Sequence, residues 1–211
     1  MTSTDTRERA RRGEGAALRD ELLDAAEALL IEKGSMDDVS IRAIVDAVGV
    51  TPPSLYLHFD DKDDLFFDVC SRRFEDFHGV LSAALDGVED PIDRLRALGR
   101  AYVTYGVERA EHYQILFAPQ HHSVVKGRDL TGSPGMQAFA LLVTTIEDGI
   151  AAGVLRQCDP YEATMAIWAG VHGAVMISAS SVEAEGGPSV PDAEAFGAAV
   201  CDMLLEGLIA R

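Results

Sequence analysis

Apolar positions along the 211-residue chain recur at helical spacing almost throughout. From about Ala16 to Lys33, Leu18, Leu22, Ala25, Ala26, Leu29 and Leu30 trace one face, and Gly34 follows as a left-handed cap. A short second helix is predicted after Ser40, whose hydroxyl suits an N-cap. Val39 and Ile44 are spaced as a hydrophobic staple, and Ile41, Ile44, Val45 and Val48 make the stripe. Gly49 closes that helix where a positive φ is needed. Pro52 and Pro53 then suit the first positions of a third helix, about Pro52 to Phe59. With Pro53 lacking an N–H, Thr51 is expected to cap the N–H of Ser54. Two turns cannot stand alone in water, so Leu55 and Phe59 must hold this helix to its neighbours.

The pattern continues as helix. Asp61 is placed to cap a fourth element, Lys62 to Leu85, with Asp63 and Asp64 in the first turn, where the helix dipole favours acid. Further helices are predicted near 91–109, 110–118, 134–152, 160–182 and 191–209. Residues 119–135 and 184–190 read as loops. No run alternates with strand periodicity and no repeat is visible. The fold class predicted is all-α.

Composition narrows the function. Eighteen basic against 35 acidic residues give a net charge of −17. That argues against a polybasic membrane-surface protein and, at face value, against a nucleic-acid binder. No stretch approaches a membrane span, and no apolar segment follows the polar N-terminus as in a secretory signal. Cys70, Cys158 and Cys201 form no CxxC pair, so reduced, buried thiols in a cytoplasmic protein are expected.

The informative segment is Ser40 to Lys62, S-I-R-A-I-V-D-A-V-G-V-T-P-P-S-L-Y-L-H-F-D-D-K. Helix, glycine turn and short helix are the helix-turn-helix layout, whose second helix enters the DNA major groove. Thr51, Pro53 and Ser54 are small enough to let the backbone approach base edges. Tyr56 and His58 can reach phosphate oxygens, and Lys62 adds a point charge. Gly49-Val50-Thr51, Leu55-Tyr56-Leu57-His58-Phe59, Lys62 and Leu65 resemble the DNA-binding domain of the tetracycline-repressor (TetR) family over roughly Ala16 to Phe67. The resemblance implies that Ser40, Arg42, Thr51, Pro53, Ser54, Tyr56, His58 and Lys62 lie on or near double-stranded DNA. Asp60-Asp61 departs from the family's usual Pro-Ser or Pro-Asp, and an extra acid there should weaken binding. Trp168-Ala-Gly-Val-His172-Gly173 resembles the signature of the WHG-type C-terminal domain of the same family.

Other chemistry is poorly supported. His121-His122 lacks a helical HxxxH or HExxH partner, so no metal is expected. No GxSxG elbow, P-loop or Rossmann fingerprint occurs, and the paired aspartates read as caps and solvated loop residues. Neither enzymatic activity nor a cofactor is expected. Arg72 and Arg73 beside Cys70 leave a redox role open.

The resemblance implies a flexible Arg-bearing arm at 1–14, a three-helix DNA-binding domain at 15–61, and a helical effector-binding and dimerisation domain at 62–211. It also implies a homodimer built by the last two long helices, a pseudo-palindromic operator and release by a small-molecule effector of unknown identity. Tyr102, Tyr105, Tyr113, Phe117, Phe139, Trp168 and His172 are the candidate effector contacts. An activator of the same fold, or a helical ligand-binding or scaffold protein without DNA binding, are the alternatives.

Overall fold

The computed structural model describes residues 14–117, 124–180 and 192–210. The Arg-bearing arm, His121-His122 and the 184–190 break lie outside the described residues. The fold is all-α. Its helices are α1 (Glu14–Lys33), α2 (Ile41–Val48), α3 (Pro52–Leu55), α4 (Lys62–Ala83), α5 (Pro91–Glu108), α6 (Ala110–Phe117), α7 (Pro134–Ala151), α8 (Pro160–Ser180) and α9 (Ala193–Glu206).

Residues pack into two compact units: one runs as far as Cys70, within α4, and includes the described residues 124–127; the other holds Ser71–Phe117 and the described residues from Arg128 on. In the first unit, α1, α2 and α3 bury the middle of the predicted stripes: Leu22, Ile44, Val45, Leu55 and Phe59 are almost wholly enclosed, as is Leu23, which the spacing did not mark, while Leu18, Ala25, Leu29, Ile41 and Val48 are half-buried. A short Arg19–Asp68 ion pair ties α1 to α4, and the Arg19 guanidinium lies 5.2 Å from the Phe59 ring centroid. That cation–π contact seats the end of the α3 turn against α1.

The second unit is a helical bundle of the C-terminal part of α4 with α5–α9. Its core runs from Phe77 and Leu81 through Leu95, Leu98, Tyr105, Ile146 and Ile167 to Cys201 and Leu205. Close crossings depend on glycine. A Cβ on Gly99 would lie 2.6 Å from Cys201 Sγ, one on Gly106 2.6 Å from Val175 Cγ1, and one on Gly197 2.5 Å from a Val103 methyl. Such distances mean that a side chain would keep α5 from seating on α8 and α9. Polar contacts also join α5 to α9: Arg96 Nε donates to Asp202 Oδ1 at 3.1 Å, and Thr104 Oγ1 to Glu194 Oε1 at 3.3 Å. One antiparallel bridge, Leu155 to Ile209, closes the end of the bundle.

Candidate DNA-binding and effector sites

The α2–α3 corner is built locally. Ser40 is extended (φ −96°, ψ 149°), and its hydroxyl accepts from the Ala43 N–H at 3.1 Å. At the other end Gly49 is left-handed (φ 78°, ψ 32°). Its N–H reaches the Asp46 carbonyl at 3.3 Å while the Val50 N–H reaches the Val45 carbonyl at 2.9 Å. This paired closure is a Schellman motif, and it turns the chain into α3.

The third element differs from expectation in two ways. Its α-helix ends at Leu55, and Tyr56–His58 continue as a tight turn in which His58 N–H bonds the Leu55 carbonyl at 2.9 Å. Such i→i+3 closure shortens the element and brings Phe59 inward. Thr51 also does not cap the backbone through its side chain. The Ser54 N–H already bonds the Thr51 carbonyl at 2.9 Å, so the two hydroxyls contact each other at 3.2 Å.

The eight candidate DNA contacts fall on this first unit. Ser40, Arg42, Thr51, Pro53 and Tyr56 are exposed, and Ser54, His58 and Lys62 are half-buried. Arg42 is exposed, with the Asp46 carboxylate one turn on at 3.6 Å. The Lys62 ammonium sits 5.8 Å from the Phe66 ring centroid. Asp61 accepts from the Asp64 N–H at 2.8 Å, and Asp64 from the Asp60 N–H at 3.2 Å. Of these aspartates, Asp61 therefore caps the start of α4, and Asp60 is tied to it through its backbone N–H. Sequence reasoning missed Leu57, which is 83% exposed. Its signal was its position, off the Leu55–Phe59 face.

In the second unit, five of the seven candidate effector contacts form one network. Tyr102 and Tyr113 hydroxyls lie 3.0 Å apart, and His172 Nδ1 is 3.0 Å from the first and 2.5 Å from the second. Trp168 stacks on His172 with centroids 5.3 Å apart, and Phe117 meets His172 edge-on at 4.7 Å. Burial holds His172 below the usual imidazole value and raises both tyrosines, Tyr102 further through Tyr113. All three groups are therefore neutral near pH 7, and the two hydroxyls and His172 Nδ1 lie within hydrogen-bonding distance of one another. Tyr105 adjoins the network through Phe77, whose ring meets Tyr105 at 4.9 Å and Tyr102 at 5.3 Å. Phe139 is not brought in: among the described residues its ring contact is with Tyr161, at 5.5 Å.

The cysteines are packing groups. Burial, and secondarily Glu27, push the Cys70 thiol up to about 12, so Arg72 and Arg73 do not activate it. Cys201 is raised by burial as well. Among the described residues, no group of three or more His, Cys, Asp or Glu is placed to hold a metal ion. No described helix is long and apolar enough to cross a membrane.

Known proteins match both units. The profile described as bacterial regulatory proteins, tetR family, covers residues 22–69. The profile described as tetracyclin repressor-like, C-terminal domain, covers residues 95–204, more than half of the chain. The chain belongs to the TetR family. Among curated relatives, the HTH-type transcriptional activator FasR of Mycolicibacterium smegmatis is 30% identical over 103 residues. That stretch is 47% of this chain and 45% of FasR, so less than half of the relative is spanned. The HTH-type transcriptional repressor KstR2 of the same organism is 24% identical over 144 residues, 67% of this chain and 69% of KstR2. A choline-bound structure from Saccharomonospora viridis superposes with a TM-score of 0.72 at 19% identity, covering 93% of this chain and all of that one. AibR, solved with isovaleryl coenzyme A and operator DNA, gives 0.64 at 18% identity over 88% and 96% of the two chains. At these identities the structural likenesses establish the TetR fold.

Proposed function

We propose that this TetR-family chain is a homodimeric transcriptional repressor that a small-molecule effector releases from a pseudo-palindromic operator. The observation that carries the reading is the α2–Gly49–α3 corner, with Thr51, Pro53 and Tyr56 exposed in front of it. Ser40, Arg42, Thr51, Pro53, Ser54, Tyr56, His58 and Lys62 are the proposed DNA contacts. A reading element this short gives little affinity alone. Dimerisation supplies the rest by setting two elements about one DNA turn, ~34–36 Å, apart. The proposed dimer face is α8 with α9, where Met165, Met176, Ile177 and Met203 are exposed apolar side chains.

The effector is proposed to bind beside the Tyr102–Tyr113–His172 network, and Trp168 stacked on His172 supports the WHG-type assignment. Phe77 belongs to α4 and packs on Tyr102 and Tyr105, so a ligand that displaces those rings acts on α4 directly. A ligand binding the DNA-free state ~100-fold better weakens operator binding by about 2.7 kcal/mol. The liganded AibR and Saccharomonospora structures support an effector in this fold. The arm at residues 1–14, the DNA-binding domain at 15–61 and the effector domain at 62–211 are the working division of the chain.

A second reading, transcriptional activation, is favoured by the 30% identity to FasR. Reporter transcription in cells carrying or lacking the chain separates the two. Repression predicts higher reporter output without the chain, and lower output is the result that contradicts it.

A further inference from the structure

The side chains that face outward around α3 do not include the usual base-reading groups. From Thr51 to Phe59 there is no Arg, Lys, Asn, Gln, Asp or Glu. Guanine is commonly read by Arg or Lys, adenine by Asn or Gln, and cytosine by Glu or Asp. None of these pairings is available to this element. Hydroxyls discriminate weakly among bases, and one of the two hydroxyl protons of Thr51 and Ser54 is engaged in their mutual contact at 3.2 Å. Besides the Tyr56 hydroxyl and the half-buried His58 ring, which suit phosphate oxygens, what the element presents is carbon. Thr51, Pro52 and Pro53 are exposed, Tyr56 is 53% exposed and Leu57 83% exposed. Arg42 is exposed too, but it belongs to α2, the helix that crosses the DNA backbone in this motif.

One feature of the major groove answers to an apolar reader, the C5-methyl group of thymine. We propose that the operator half-site is read chiefly through thymine 5-methyl groups, contacted by Thr51, Pro53 and Leu57. Exposed apolar side chains on a solvated turn are otherwise costly, and covering them with base methyls removes them from water. The inference rests on the DNA-binding reading above. It differs from that reading in naming which chemical group carries specificity.

The test uses the full chain and a duplex selected by it from a randomised library. Each dT of the selected half-site is replaced by dU, one position at a time. This deletes a methyl in the major groove and leaves every hydrogen-bonding edge, the minor groove and the phosphates intact. The expected result is a half-site rich in dT, with a loss of about fourfold in affinity for each contacted methyl removed, the factor that burying one such group supplies. Leu57→Ala and Thr51→Ser are expected to weaken binding to the dT duplex, and each is expected to lessen the dU penalty at one position. Selection of a sequence whose dU forms all bind like the dT form overturns the proposal and leaves DNA binding standing. A dU penalty that neither variant changes overturns the assignment of the contacts. Failure to enrich any sequence overturns the DNA-binding reading itself.

Discussion

His172 shares a hydrogen-bonded network with two neutral tyrosines inside a partly buried aromatic cluster, and its chemistry follows from that position. Burial lowers its pKa in the folded chain, whereas the unfolded chain titrates near 6.5. The unfolded state therefore takes up a proton first as pH falls. Stability is present in full above pH 6.5 and declines below it, through the lowered folded value. Thermal unfolding from pH 8 to pH 5 should show a steeper loss for the wild type than for His172→Gln. Equal slopes would mean that His172 is not held neutral. The thiols give a second expectation. With Cys70 pushed up to about 12 and Cys201 buried, a thiol reagent at pH 8 should modify half-buried Cys158 first, and Cys70 only on unfolding. Mass spectrometry of the labelled native protein checks the order. Individual roles were partly legible in the chain. Tyr102, Tyr113, Trp168 and His172 stood out as aromatics at helical spacing, but their convergence on one imidazole spans 70 residues. No local pattern encodes such a contact. Leu57 is legible as lying off the Leu55–Phe59 face, but the degree of its exposure depends on how the turn after Leu55 closes.

Among the elements, glycine separates packing from turning. Gly49 holds φ at 78°, so Gly49→Ala strains the turn into α3 whatever space surrounds it. Gly170 and Gly173 share α8 and differ in surroundings. A Cβ at Gly170 would lie 2.5 Å from Leu204 Cδ1, whereas nothing lies within 4 Å of one at Gly173. Gly170→Ala should therefore cost about 1 kcal/mol by displacing the Leu204 and Val200 side chains of α9. Gly173→Ala should raise the stability of the isolated chain by up to ~1 kcal/mol through helix propensity. Chemical denaturation of both variants measures the difference, and destabilisation by Gly173→Ala at low protein concentration would contradict the open position. Periodicity predicts α5 and α7, and periodicity with the Ser40 cap predicts α2, to within a residue or two; in the structure Asp90 and Ser133 cap α5 and α7 locally as Ser40 caps α2. The α3 boundary was misplaced because apolar spacing continues to Phe59 while the hydrogen bonding changes at Leu55.

For the molecule as a whole, charge constrains how a TetR-family chain this acidic can hold DNA. Residues 1–62 carry eight basic and 13 acidic residues, and residues 63–211 carry ten and 22. Most of the excess acid thus lies outside the segment that resembles the family's DNA reader, and Ser40–Phe59 is neutral, with only Arg42 and Asp46. Few phosphates can be neutralised, so affinity must come from fit and from pairing two copies. Ile177→Glu and Met203→Glu replace exposed apolar groups of the proposed dimer face and should give monomers in sedimentation equilibrium with unchanged helix content. A monomeric wild type would contradict the pairing. Specific operator binding is tested most directly by a salt-dependent titration of the full chain on a library-selected duplex. A sequence-specific complex is expected, with log affinity falling against log salt at a slope shallower than about −5. Equal affinity for selected and scrambled duplexes, or a slope near −9 as for a protein neutralising about ten phosphates, would contradict it.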